Sequence, residues 1–269
     1  GSLGTVIVDI NRVDYLPGIQ YKATRGTEIV NTKIQAEVQD KYWDEVMAGF
    51  IDVFEYQGKL IVMNGHHRFD HAKTLPTPPR QLRVRIWTPE MVRAAGLGKL
   101  LVGDSITPRE AKLIGAVLNI REARGTFQDT IRGLILLEIK PEEVERMLAL
   151  LGTDLSGKVK DALIILGMHP KIINDAMAVP SVDEGGKGNY FASFLRNNLL
   201  EFSNETSDKE TQSLVYDFWK KMLSMRYGTD DLARIAMVPE SNHFAFSLHG
   251  RNIFVYLVRR VEEVGREAF

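Results

Sequence analysis

The stretch Ile61–Lys73, Ile-Val-Met-Asn-Gly-His-His-Arg-Phe-Asp-His-Ala-Lys, constrains this chain more than any other. An apolar run ends at Asn64-Gly65, and Phe69 and Ala72 then recur one helical turn apart. The pattern predicts a strand over Leu60–Met63 that turns at Gly65 into a helix over His66–Thr74. Three of the six histidines fall in this stretch, with Arg68 beside them. A helix start presents N–H groups that have no partner within the helix, together with a partial positive charge. A guanidinium adds a fork of donors matched to phosphate oxygens. The expected guest is therefore an anion, a phosphate or nucleotide held by Asn64, Gly65, His66, His67 and Arg68.

Around this corner the chain reads as a compact α/β unit. Thr5–Ile10 is strand-like and Tyr15–Gly18 a turn. Gln20–Asp40 is a polar loop, and Tyr42–Ala48 a short helix ending near Gly49. Ile51–Phe54 pairs with Leu60–Met63 through a turn at Gln57-Gly58. Gln81–Trp87 alternates, with Leu82, Val84 and Ile86 on one face and Arg83 and Arg85 on the other.

From Pro89 onward helices dominate. Thr107 caps one that starts at Pro108 and runs to about Arg124, and Thr126 caps the next with Asp129 three residues on. Pro141–Leu151 is a third. Lys158–Leu166 and Lys171–Ala178, on either side of Gly167–Pro170, have helix-turn-helix spacing. Ser181–Gly188 is a glycine-rich linker, followed by helices over Tyr190–Phe202, Asp208–Tyr227 and Asp230–Ala236. Two readings fit Asn242–Val258: a hairpin pairing Phe244–Leu248 with Ile253–Val258, or a helix from Val255 onward. The fold class is α+β: a small α/β domain over 1–100, a helical region over 101–180 and a mainly helical domain over 189–269.

The 269 residues contain no cysteine, which excludes disulfides, thiolate metal sites and a cysteine nucleophile. No apolar run approaches the ~18 residues of a membrane span, and no signal pattern opens the chain, so a cytoplasmic protein without membrane partners is expected. The net charge of −1 excludes a polybasic chain and confines nucleic-acid binding to a local patch. Residues 80–124 offer one, with nine basic residues against four acidic. Arg83, Arg85 and, in the helix-turn-helix, Lys171 are the nucleic-acid candidates. Leu214, Val215, Phe218, Trp219 and Met222 form a stripe that suits a core or a homodimer face. His67 and His71 have metal-ligand spacing, but no glutamate follows the first histidine as a metalloprotease requires, and no metal site is assigned.

Three blocks in order resemble the ParB/sulfiredoxin superfamily, in particular the ParB-like proteins of phages and mobile elements: Gly49–Phe54, Leu60–Lys73 and Asn119–Thr126. The resemblance covers about the first 135 residues. It implies a ParB/sulfiredoxin-like α/β fold and a nucleoside triphosphate with magnesium as ligand. Asn119 would belong to the nucleotide and metal box, and Lys22 would reach the phosphate from the early loop; by their own position Asn119, Arg121 and Arg124 could close over a phosphate from the far side, or the arginines could complement the helix C-terminus with Gly125 as its cap. The departures are specific. His66 stands where sulfiredoxin needs a cysteine, which excludes sulfinic acid reduction. His66 and His67 replace the glutamate and arginine of partition proteins, and Leu118 replaces a glutamate. A small-molecule kinase branch acting on free serine shares the Gly-His-His-Arg box. The expected function is a nucleotide- and/or DNA-binding ParB-like protein. The alternatives are a phosphotransferase or nuclease using Glu28, Asp52 or Glu122 as base, and a non-catalytic interaction protein.

Overall fold

The computed structural model describes residues 4–19, 49–122, 125–140, 142, 149–152, 156–179 and 194–269. It is an α+β structure. The chain divides into two compact units, the first made of the described residues within 1–125, 133–139 and 145–154, the second of those within 126–132, 140–144 and 155–269.

The first unit is built on a mixed sheet. Its strands are β1 (Thr5–Asp9), β2 (Val13–Asp14), β3 (Ile51–Tyr56), β4 (Lys59–Asn64) and β5 (Gln81–Trp87), in the order β1-β5-β3-β4-β2. β3 lies at the centre, antiparallel to β4 and parallel to β5. The β3–β4 hairpin closes at Gln57-Gly58, both at positive φ, as a tight primed turn requires. Alternation then sorts the side chains. Val8, Ile51, Val53, Leu60, Val62, Leu82 and Val84 share one core, which Phe69 and Ala72 of helix α1 (His66–Thr74) complete. β2 is a strand that the sequence pattern does not reveal, because two residues are too short to alternate.

Ile61 and Met63 point the other way and are buried as well. Here the sheet meets helix α3 (Pro108–Arg121), which follows the short α2 (Pro89–Ala94). The capping box at Thr107 and Glu110 forms as expected, with Pro108 in the first turn. The helix ends at Arg121 and presses so closely on β4 that a Cβ on Gly115 would lie 2.6 Å from the Met63 carbonyl oxygen.

The second unit is helical. α4 (Phe127–Leu136) opens on the reciprocal Thr126–Asp129 cap and continues into the first unit. α5 (Gly157–Leu166) and α6 (Pro170–Ala178) form the expected helix pair. A turn of π-helix at Phe194–Asn198 leads into α7 (Leu199–Glu205), followed by α8 (Lys209–Tyr227). α9 (Leu232–Met237), α10 (Pro239–Phe244) and α11 (Leu248–Val264) complete the unit. Its core is aromatic: Phe194 stacks on Trp219 at 5.3 Å and Phe202 on Phe254 at 4.6 Å, with Phe246 edge-on to Phe194. Val215 and Trp219 of the α8 stripe are in this core, while Phe218 is 40% exposed. The hairpin reading of the C-terminal stretch does not hold. Phe254, Leu257, Val258 and Val261 recur at helical spacing, and burying that stripe requires a helix. The expected loop over 20–40, the helix over 42–48 and the linker over 181–188 lie outside the described residues. Among the described residues no helix is long and apolar enough to cross a membrane.

Gly115→Ala should destabilise the first unit by about 1–3 kcal/mol, the usual cost of overpacking, without changing the fold class. Chemical denaturation followed by circular dichroism measures this.

Candidate functional site

The Gly65 corner forms as the sequence predicts. Gly65 takes φ 97°, a left-handed conformation that glycine alone adopts cheaply, and α1 begins at the next residue. Because the cap is glycine, no cap side chain covers the first turn. The Phe69 amide makes the first helical bond back to the Gly65 carbonyl at 3.1 Å. His66, His67 and Arg68 are half-buried around this start. Arg68 reaches across to the residue that precedes β3 and donates from Nη1 to the Phe50 carbonyl at 2.9 Å.

Beneath the corner lies a polar row that sheet register creates. Asp52 of β3 faces Asn64 of β4 on one side and Arg85 of β5 on the other. Its carboxylate, 2% exposed, is met by three donors. Arg85 Nε approaches Oδ1 at 2.6 Å, Trp87 Nε1 reaches the same oxygen at 2.8 Å, and Asn64 Nδ2 reaches Oδ2 at 3.2 Å. The row continues into α3, where Asn119 Nδ2 donates to Asn64 Oδ1 at 3.0 Å and to the Gly115 carbonyl at 2.9 Å. The Arg85 guanidinium also lies over the rings of Phe50 and Trp87, at 4.5 and 5.0 Å from their centroids. Glu122 stands 3.9 Å from its Nη2.

This geometry redistributes the candidate residues. Asn64, Gly65, His66, His67, Arg68 and Asn119 come together at one corner. Arg121 is turned elsewhere: it donates to the carbonyls of Leu150 and Ala95 at 2.9 and 3.1 Å, and burial pulls its pKa down. It fastens backbone to backbone. Asp52 is a buried acceptor whose oxygens are committed, and Glu122 is the more exposed carboxylate of the two. Arg83 is exposed on β5, but Arg85 lies inside, 14% exposed, on its carboxylate partner. Lys171 is bound to Asp217 at 2.8 Å and to Ser213 at 2.9 Å, both on α8. Asp175, on the same side of α6, accepts from Tyr216 and Lys220 of α8 at 2.9 and 2.8 Å. Burial and that carboxylate push the Tyr216 hydroxyl pKa up. Lys22, Glu28 and Arg124 lie outside the described residues.

The donor set suits an anion better than a protein-held magnesium ion. Magnesium takes carboxylate oxygens, whereas both Asp52 oxygens accept N–H donors and Glu122 stands next to a guanidinium. Among the described residues no three histidine, aspartate or glutamate side chains converge as a metal-binding group.

The Trp87 donor, the Asn64–Asn119 contact and the Gly115 approach escape sequence reading. One signal was available: Asp52 is a charged residue inside the otherwise apolar run Ile51–Phe54. A charge in a buried strand requires a partner. No protein-family model and no curated protein matches this chain.

Arg85→Met should cost about 3–5 kcal/mol, since it strands a buried carboxylate. Arg83→Met, at an exposed position on the same face of the strand, should stay within about 0.5 kcal/mol of the parent. Urea denaturation at neutral pH separates the two.

Proposed function

We propose that this chain is a ParB-like nucleotide-binding protein of phage or mobile-element type that grips phosphate at the Gly-His-His-Arg corner. One observation carries the reading: α1 opens on a left-handed glycine with no cap side chain, and Arg68 and two histidines stand in its first turn. Backbone N–H groups and the helix dipole supply fixed positive potential, and Arg68 supplies charge-assisted bonds. His67 can donate a hydrogen bond while neutral. Nothing in this arrangement requires turnover. Asp52 is 2% exposed and both its oxygens face Arg85, Trp87 and Asn64 rather than an open site, which favours a binder over a phosphotransferase or nuclease working through that carboxylate.

A recognition helix must show polar side chains outward, and Lys171 and Asp175 of α6 are engaged with α8. Arg85 contributes to the interior and leaves Arg83 alone on its strand.

A ligand of the native state raises its stability by about 2.7 kcal/mol at a hundredfold excess over Kd. A thermal-shift screen with inorganic phosphate and with nucleoside di- and triphosphates, with and without magnesium, should therefore raise the melting temperature. In a calorimetric titration Arg68→Ala should weaken the best ligand by about tenfold or more, the scale of one lost charge-assisted bond. Arg68→Lys should fall between. Unchanged affinity in Arg68→Ala removes this corner as the site.

A further inference from the structure

The row from Arg85 to Asn119 determines how the corner is built, and the role assigned to it here rests on the reading that the corner binds phosphate. We infer that Asn64 and Asn119 are positioning residues rather than ligands. They are two neutral amides that pin the Gly65 turn to α3 and hold the Asp52 carboxylate one hydrogen-bonded step back from the anion.

The hydrogen-bond inventory supports this. A carboxamide has two hydrogens and one oxygen to offer. Asn119 uses its nitrogen twice, toward Asn64 Oδ1 and toward the Gly115 carbonyl. Asn64 uses both ends, its oxygen for Asn119 and its nitrogen for Asp52. Both side chains are nearly sealed, at 7% and 5% exposure. Asn64 is bonded directly to Gly65, so fixing its side chain fixes the residue from which α1 departs. α3 can deliver Asn119 to this spot because Gly115 lets the helix backbone touch β4.

The charges fit the same account. A carboxylate near an anion site repels the guest. Here that charge sits on β3, against the Arg85 guanidinium, and the two residues that continue the row from it, Asn64 and Asn119, are uncharged. The arrangement gives the turn a rigid foundation without placing a negative charge beside the ligand.

Two variants test this with inorganic phosphate and a nucleoside triphosphate, each with and without magnesium. The first is Asn119→Asp. An ionised carboxylate there faces the Asn64 and Gly115 oxygens with no hydrogen to give, and protonation restores one. Its folded-state pKa therefore rises above the ordinary aspartate value of about 3.9. Stability tied to the protonated form is present at low pH and is lost as pH rises through that folded pKa. The titratable groups around it are Asp52 on β3, Arg85 on β5, Glu122 on its own helix and the histidines of α1. Wild-type protein measured at each pH cancels their contribution. The expected result is phosphate affinity about tenfold weaker than wild type at pH 8, equally with and without magnesium, recovering toward wild type at pH 5. A residue that holds magnesium predicts the reverse, tighter magnesium-dependent binding in Asn119→Asp.

The second variant is the exchange Asp52→Asn with Asn64→Asp. Each single change sets like against like, donor facing donor or carboxylate facing carboxylate. The double change restores every bond with one direction reversed, and moves the charge to the residue next to Gly65. It should melt above both single variants and still bind phosphate about tenfold more weakly than wild type at low salt. A purely architectural row predicts that affinity returns together with melting temperature.

The inference is overturned by tighter magnesium-dependent binding in Asn119→Asp, or by its pH-independent wild-type affinity. It is equally overturned by a double variant that melts no higher than the singles or that regains full affinity. A wild-type chain that binds neither phosphate nor nucleotide overturns the underlying reading instead, which keeps the two failures distinct.

Discussion

A buried carboxylate has to be answered by donors, and in this protein the answer organises the first unit. Asp52 sits at 2% exposure in the central strand. Stripped of its partners, such a charge would cost about 3–5 kcal/mol, a large part of the stability of a typical domain. The donors come from β4 and from two positions on β5. Meeting them fixes the register of three strands at once, since a slip of one residue would turn Arg85 or Asn64 to the opposite face. The bulge between Asp52 and Val53 lies at the same place. The extra residue is Met63 of β4, which lets that strand keep Val62 in the apolar core and still bring Asn64 opposite Asp52.

What the sequence made legible was local. A glycine between an apolar run and a helical pattern announces a strand, a turn and a helix, and α1 and β5 fall on the residues expected of them. Thr107 and Thr126 announce their helices through capping chemistry that acts within a few residues. The losses share a cause. Alternation placed Arg85 on the face opposite Leu82, as the structure has it. Alternation states which way a side chain points, however, and not what covers it, and here Asp52, Phe50 and Trp87 do. Helix-turn-helix spacing found α5 and α6, but only tertiary packing shows that Lys171 and Asp175 belong to α8. The contact between Asn64 and Asn119 spans 55 residues of chain, beyond any periodicity. In the C-terminal stretch two periods competed, and burial of a helical stripe decided between them.

The same division applies to function. The corner at Gly65 is a local device and could be read from a few residues. The support beneath it is long-range and could not. A site needs both, because a helix start attracts an anion only as well as its orientation is held. Shared folds carry unrelated chemistries, so the functional reading rests on this corner and not on the architecture around it. The second unit contributes a separate aromatic core, in which Phe194 and Trp219 stack on each other and each packs against Phe246 and Phe254.

The polar row also has a sense of travel. Hydrogens point from Asn119 to Asn64 and from Asn64 to Asp52, and the terminus at Asp52 can only accept. Rotating the Asn64 amide by half a turn would bring nitrogen against nitrogen at one end and oxygen against carboxylate at the other. The acid thereby dictates the orientation of the Asn64 amide it touches and, through it, of the Asn119 amide it does not. In effect the strand floor behaves like a one-way ratchet with a single resting position, and the glycine turn above it inherits that single setting.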